Sequence, residues 1–143
     1  MTTTHPHFKI AHELWDALAH GDAAKLREFL SPKVQWRTFG GRDPGGTYVG
    51  IDAALDVLAS IGDLADELRS DLIDIFVNDR GAVLWTRVQA RRGADELRVE
   101  QLVVLTIEDG QIVRIMSVTN DQAQSNRFWK ATPDRADPVH GSN

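Results

Sequence analysis

The sequence predicts an α+β domain in which helices come first and a curved antiparallel sheet wraps around them. Two observations predict this class. Apolar residues recur at helical spacing from Phe8 to Ile61, and from Leu68 the period falls from about 3.6 to 2. The alternating stretches are separated by short polar connections, Asn78–Gly81, Arg92–Asp95 and Glu108–Gly110, which fit antiparallel hairpins. A strongly curved sheet around helices leaves a cone with an apolar interior, the kind of space that holds small ligands.

Taken in order, Phe8, Ile10, Ala11, Leu14, Trp15 and Leu18 form the apolar face of a first helix that ends at His20-Gly21. Asp22 caps a second helix carrying Leu26, Phe29 and Leu30 inward, and Ser31-Pro32 stops it. Val34–Phe39 is a short strand, and Gly40–Gly46 is a loop by composition. Asp52 is placed to cap a third helix with Leu55, Leu58 and Ile61 on one face. Four strands come next, at 68–78, 82–92, 96–107 and 111–119, and a short helix ends at Phe128-Trp129. The expected organisation is a flexible segment 1–7, one domain over 8–129 and a flexible tail over 130–143.

Composition narrows the function classes. A chain of 143 residues with 42% hydrophobic and 26% charged residues suits one soluble domain. The net charge of −5 argues against a nucleic-acid partner, since phosphate binding needs a basic face. There is no cysteine, so disulfides and thiolate chemistry are excluded. The five histidines do not pair with carboxylates at metal-site spacing, so no metal and no cofactor is expected. No apolar run approaches the ~20 residues of a membrane span, and the N-terminal stretch lacks the pattern of a signal peptide. A cytoplasmic location is the expectation.

The candidate site centres on the last strand and the residues just after it. Val113, Ile115, Ser117, Thr119 and Asp121 share one side if the strand persists to Asp121, giving an apolar row that ends in a carboxylate. Asp121 has two readings. Asp121-Gln122-Ala123-Gln124 has capping-box spacing, and a carboxylate in an apolar pocket can serve as a general acid/base. Strand 82–92 also has two readings. Either Ala82, Leu84, Thr86, Val88 and Ala90 line the core, or Trp85, Arg87 and Gln89 turn into the cavity with Arg87 facing a carboxylate such as Asp121. In strand 96–107, Gln101 is the lone amide in the row of Leu97, Val99, Val103, Leu105 and Ile107, and it needs a partner. Trp36, Phe39, Tyr48 and Trp129 are candidate walls, or plain core.

Gly21-Asp22 after the first helix, Val34-Gln35-Trp36 and Tyr48-Val49-Gly50-Ile51-Asp52-Ala53 resemble the SnoaL-like branch of the nuclear transport factor 2-like superfamily. So does Glu108-Asp109-Gly110-Gln111-Ile112-Val113-Arg114 leading to Thr119–Ala123. That branch sits beside ketosteroid isomerases, limonene epoxide hydrolases and polyketide cyclases. The resemblance spans about Phe8 to Trp129. It implies a cone-shaped α+β barrel with a cavity at its wide end and often a homodimer paired through the outer sheet face. It implies Asp121 as the acidic group and Arg87 as the arginine of an epoxide-hydrolase arrangement. Gln89 stands where that arrangement has its second aspartate, and Gln101 where the isomerases have an acidic donor, so neither standard mechanism is expected.

The expected function is a cyclase, isomerase, lyase or hydrolase acting on a small apolar carbonyl or epoxide. Asp121 would act as acid/base with Arg87 beside it, and Trp36, Phe39, Tyr48, Trp85, Gln89, Gln101, Thr119 and Trp129 would contact substrate. The alternative is a non-catalytic module that binds an apolar metabolite or uses the sheet only for pairing.

Overall fold

The protein is described from a computed structural model, over residues 5–37, 47–56 and 65–130. Phe39, the loop 40–46, Leu58, Ile61 and the tail from 131 lie outside the described residues. The elements are α1 (Pro6–His20), α2 (Ala23–Phe29), β1 (Leu30–Arg37), β2 (Thr47–Val49) and α3 (51–56). They continue with β3 (Glu67–Asn78), β4 (Gly81–Arg92), β5 (Asp95–Glu108), β6 (Gln111–Thr119) and α4 (Gln122–Lys130). The six strands form one curved, unclosed sheet in the order β2-β1-β6-β5-β4-β3, and every pair is antiparallel except β1–β6.

The helices start and stop for local reasons. Pro6 sits in the first turn of α1, where its missing N–H is no loss. His5 caps the helix by accepting the His7 N–H on Nδ1 at 3.1 Å. His5 and His7, expected in an untethered leader, are tied to the β3–β4 turn. His5 Nε2 lies 3.0 Å from Asp79 Oδ1, and His7 Nδ1 lies 2.8 Å from the Asn78 carbonyl. Helix α1 ends at Gly21, and Asp22 Oδ1 accepts the Lys25 N–H at 3.1 Å to start α2, both as expected.

Three local expectations are corrected. Asp52 does not cap α3; it lies inside the first turn, where its carboxylate pairs with Arg27 at 2.6 Å, while Gly50 takes the start position with its carbonyl receiving the Ala54 N–H. Leu30 is buried from the first position of β1 rather than from α2. Pro32 falls where the β1–β6 register is irregular, between Leu30 and Gln35, which is how a residue without an N–H is accommodated in a strand. Strand β2 was not expected at all; three residues are too few to show alternation.

Helix α1 lies against β3 and β4 and buries Ala11, Leu14 and Ala17. With α2, β1 and the inward residues Leu84, Leu105, Ile112 and Ile115 it builds the larger apolar cluster. A second cluster of Val88, Ala90, Leu97, Val99 and Phe128 forms where α4 lies across the far end of the strands.

Candidate functional site

Alternation fixes which side chains face the helices. On β4 the buried row is Ala82, Leu84, Thr86, Val88 and Ala90; on β5 it is Leu97, Val99, Val103, Leu105 and Ile107, with Gln101 half-buried among them. On β6, Ile112, Ile115, Ser117 and Thr119 stand opposite Ile107, Leu105, Val103 and Gln101, so they share this concave face. Val113 drops out of the row because an irregularity between Thr106 and Ile107 displaces it.

Between the two apolar clusters the concave face turns polar across three adjacent strands. Thr86 stands opposite Gln101, and Gln101 stands opposite Thr119. Thr86 is 1% exposed and its Oγ1 donates to the Gln101 carbonyl at 3.0 Å. The Thr119 hydroxyl is buried with no hydrogen-bond partner. The Trp36 indole Nε1–H is likewise buried and unpartnered, on a residue 8% exposed. Trp36 reaches this face from β1, in register with Ile115 on one side and with half-buried Tyr48 on the other. Such atoms are rare in folded proteins, since each lacks the water it had when unfolded. Among the described residues, no charged side chain is buried.

Of the expected substrate contacts, the structure puts Trp36 and Tyr48 at the level of Ile115 and Gln101 and Thr119 four residues further along β6, on the same sheet. It places Trp129 on α4, packed against the second apolar cluster and edge-on to Phe128 at 4.8 Å.

Trp85, Arg87 and Gln89 are corrected: they stand on the outer face. Arg87 is exposed, in register with Asp71 on β3 and Glu100 on β5. Trp85 donates its Nε1–H to Glu100 at 3.0 Å and stacks on Phe76 with ring centres 6.4 Å apart. Gln89 is half-buried, opposite Arg69 and Arg98. The physical reason is the inward row, whose small and branched apolar residues satisfy the helices, leaving the amphipathic tryptophan and the cation to the other side.

Asp121 is exposed and acts as a helix cap. Its Oδ1 accepts the Gln124 N–H at 3.0 Å, and its Oδ2 accepts the Gln124 side-chain amide at 3.1 Å. These two bonds, backbone first, hold its carboxyl below the usual aspartate range, and the nearby Arg127 charge adds to them. The Gln124 Oε1 in turn accepts the Arg98 N–H at 2.7 Å, fastening α4 to β5. At the other end of α4, Arg92 donates to the Phe128 carbonyl at 2.6 Å and covers the Phe128 ring at 4.5 Å. The sequence reading missed this Arg92 latch; its only sign was a cation at the end of an inward row.

Helices followed by a six-stranded curved, unclosed sheet, with a concave face that is partly polar, define the nuclear transport factor 2-like fold. The sequence model of the SnoaL-like domain matches residues 11–115, and the chain belongs to this family. Solved structures agree on the fold. Bal32a, from a soil-derived mobile gene cassette, superposes with a TM-score of 0.80 at 21% identity, covering 87% of this chain and 96% of its own. A nuclear transport factor 2-like protein from Burkholderia pseudomallei gives 0.78 at 19%, covering 90% and 100%. A Jannaschia protein proposed to be a SnoaL-like polyketide cyclase gives 0.74 at 16%, covering 93% and 99%. A search of curated protein sequences finds no match.

Proposed function

We propose that the chain holds a small, largely apolar molecule against the concave face and promotes a cyclisation or isomerisation of it by orientation and neutral hydrogen bonds. The observation that carries this reading is the polar row Thr119–Gln101–Thr86 set between two apolar clusters, with the Thr119 hydroxyl unpartnered within it and the Trp36 indole N–H unpartnered on the same face, at the level of Ile115. Donors fixed in advance in a water-poor site stabilise charge developing on a substrate oxygen, and a shaped apolar wall holds a flexible substrate in one reactive geometry. The Jannaschia neighbour supports cyclisation as the reaction class. Asp121 and Arg87 take no acid/base role in this reading. A general base gains from a raised pKa, whereas the Asp121 carboxyl is exposed and held low, and Arg87 stands on the outer face.

The test is amide NMR of the whole chain titrated with the neutral bicyclic ketone 1-tetralone. Shifts are expected to concentrate at Thr86, Gln101, Thr119 and the Trp36 indole. Shifts confined to the outer face, or none at all, would overturn the reading.

The outer face has its own proposal, a second copy of the chain. Phe76 is 51% and Leu102 39% exposed, and with Val83, Trp85, Val104 and Met116 they occupy adjoining outward positions on β3–β6. Toward the β3–β5 side Asp71 and Glu100 flank Arg87, and Arg69 pairs with Asp71, so the rim carries both signs of charge. A two-fold pairing of two such faces would bury the apolar patch of each copy against that of the other.

A further inference from the structure

We infer that the molecule held on the concave face is uncharged and carries hydrogen-bonding oxygens at two separated places, one accepting from Trp36 Nε1–H and one meeting the Thr119 hydroxyl. This inference rests on the binding reading above and gives its ligand a chemistry.

The indole N–H donates only, so its missing partner is an acceptor, such as a carbonyl, ether or hydroxyl oxygen. The Thr119 hydroxyl both donates and accepts, so it takes either a ketone or a hydroxyl. The two side chains spring from separate levels of the sheet. Trp36 stands in register with Ile115, and Thr119 is four residues further along β6. At about 3.3 Å per residue that is roughly 13 Å of strand. The inward residues of β5 and β6 between these levels are Val103, Leu105 and Ser117, so the body joining the two oxygens is mostly apolar. A charged oxygen is disfavoured, because a buried charge needs a paired countercharge and no charged side chain is buried among the described residues.

A buried polar atom without a partner lowers the stability of the free protein, and an isosteric apolar residue removes that cost. Thr119→Val should therefore raise the melting temperature of the free protein while weakening the ligand. A core hydroxyl with a partner would give the reverse sign in the first measurement.

The experiment uses the full chain, its Thr119→Val and Trp36→Phe variants, and three probes with one bicyclic body. These are 6-hydroxy-1-tetralone, with oxygens at both ends, tetralin, with none, and 1-oxotetralin-6-carboxylate, with a charge at one end. Binding is read by calorimetry at neutral pH. The hydroxyketone is expected to bind tightest, and each variant to weaken it by about three- to tenfold, the size of one net hydrogen bond. Tetralin is expected to respond to neither variant.

Two results would overturn the inference alone: hydroxyketone affinity unchanged in both variants, or the carboxylate binding as tightly. A lower melting temperature in Thr119→Val would do the same without any ligand. If Trp36→Phe fails to fold, Thr119→Val carries the test unaided. Failure of all three probes to bind the wild-type chain would instead overturn the binding reading itself.

Discussion

At the residue scale, Asp121 shows how one sequence pattern serves two physical roles. Its spacing to Gln124 is that of a capping box, and the cap is what forms. Asparagine is nearly as good a cap as aspartate, whereas alanine is not. Asp121→Asn should therefore leave the melting temperature close to wild type, and Asp121→Ala should lower it; ligand affinity on the concave face should survive both. Loss of turnover in Asp121→Asn at unchanged stability would restore the carboxylate to catalysis. The inward placement of Gln101 and Thr119 was legible because each is a polar interruption in an alternating row. Arg87 was not legible in the same way. Both faces of β4 carry apolar residues, so the sequence left two placements open, and the outward one needed Glu100 on the neighbouring strand to receive Trp85.

At the element scale, the hairpins were readable because turn chemistry is local. Asp109 and Gly110 both have positive φ, at 51° and 79°, as a type I′ turn requires. Asn78 shapes the β3–β4 turn by accepting from the Arg80 and Gly81 N–H groups at 2.8 and 3.1 Å. Gly81 is needed for a further reason. A Cβ there would stand 1.8 Å from the Leu105 carbonyl oxygen, which is backbone and cannot step aside. Gly81→Ala should cost on the order of 3 kcal/mol, measured by urea unfolding, because strands β4 and β5 must separate to admit it. Helix α4 was expected, but what holds it down was not, since the latch joins positions 36 residues apart. Arg92→Met should cost about 1–2 kcal/mol by the same measurement, since it removes a charge-assisted bond to the Phe128 carbonyl.

At the scale of the whole molecule, the class was legible and the sheet order was not. Periodicity reports which face a residue takes, but the parallel docking of β1 beside β6 joins segments some eighty residues apart, and no local signal specifies it. Charge behaves more simply. Hydrogen bonding to Arg91 lowers the Glu67 carboxyl, hydrogen bonding to His5 lowers that of Asp79, and the cap lowers that of Asp121. Groups depressed on folding stabilise the folded form above their unfolded values, and that support drains away as pH falls through the folded ones. With ordinary values of 3.8 for the aspartates and 4.5 for the glutamate, stability should hold on the alkaline side of these and decline below them. Thermal melts from pH 6 to pH 2 check this; stability rising on acidification would contradict it. For the proposed pairing, light scattering should give a dimer mass, and Leu102→Lys should reduce it to the monomer. A monomeric wild type at micromolar concentration would refute it.

The junction between the start of α1 and the β3–β4 turn has a consequence for proton placement. The backbone N–H of His7 can only donate, so His5 Nδ1 must be bare, and its proton sits on Nε2, facing Asp79. The Asn78 carbonyl can only accept, so His7 must carry its proton on Nδ1. Two histidines separated by one proline are thus locked in opposite tautomers. Nitrogen-15 shifts of the two rings would report the two tautomers separately.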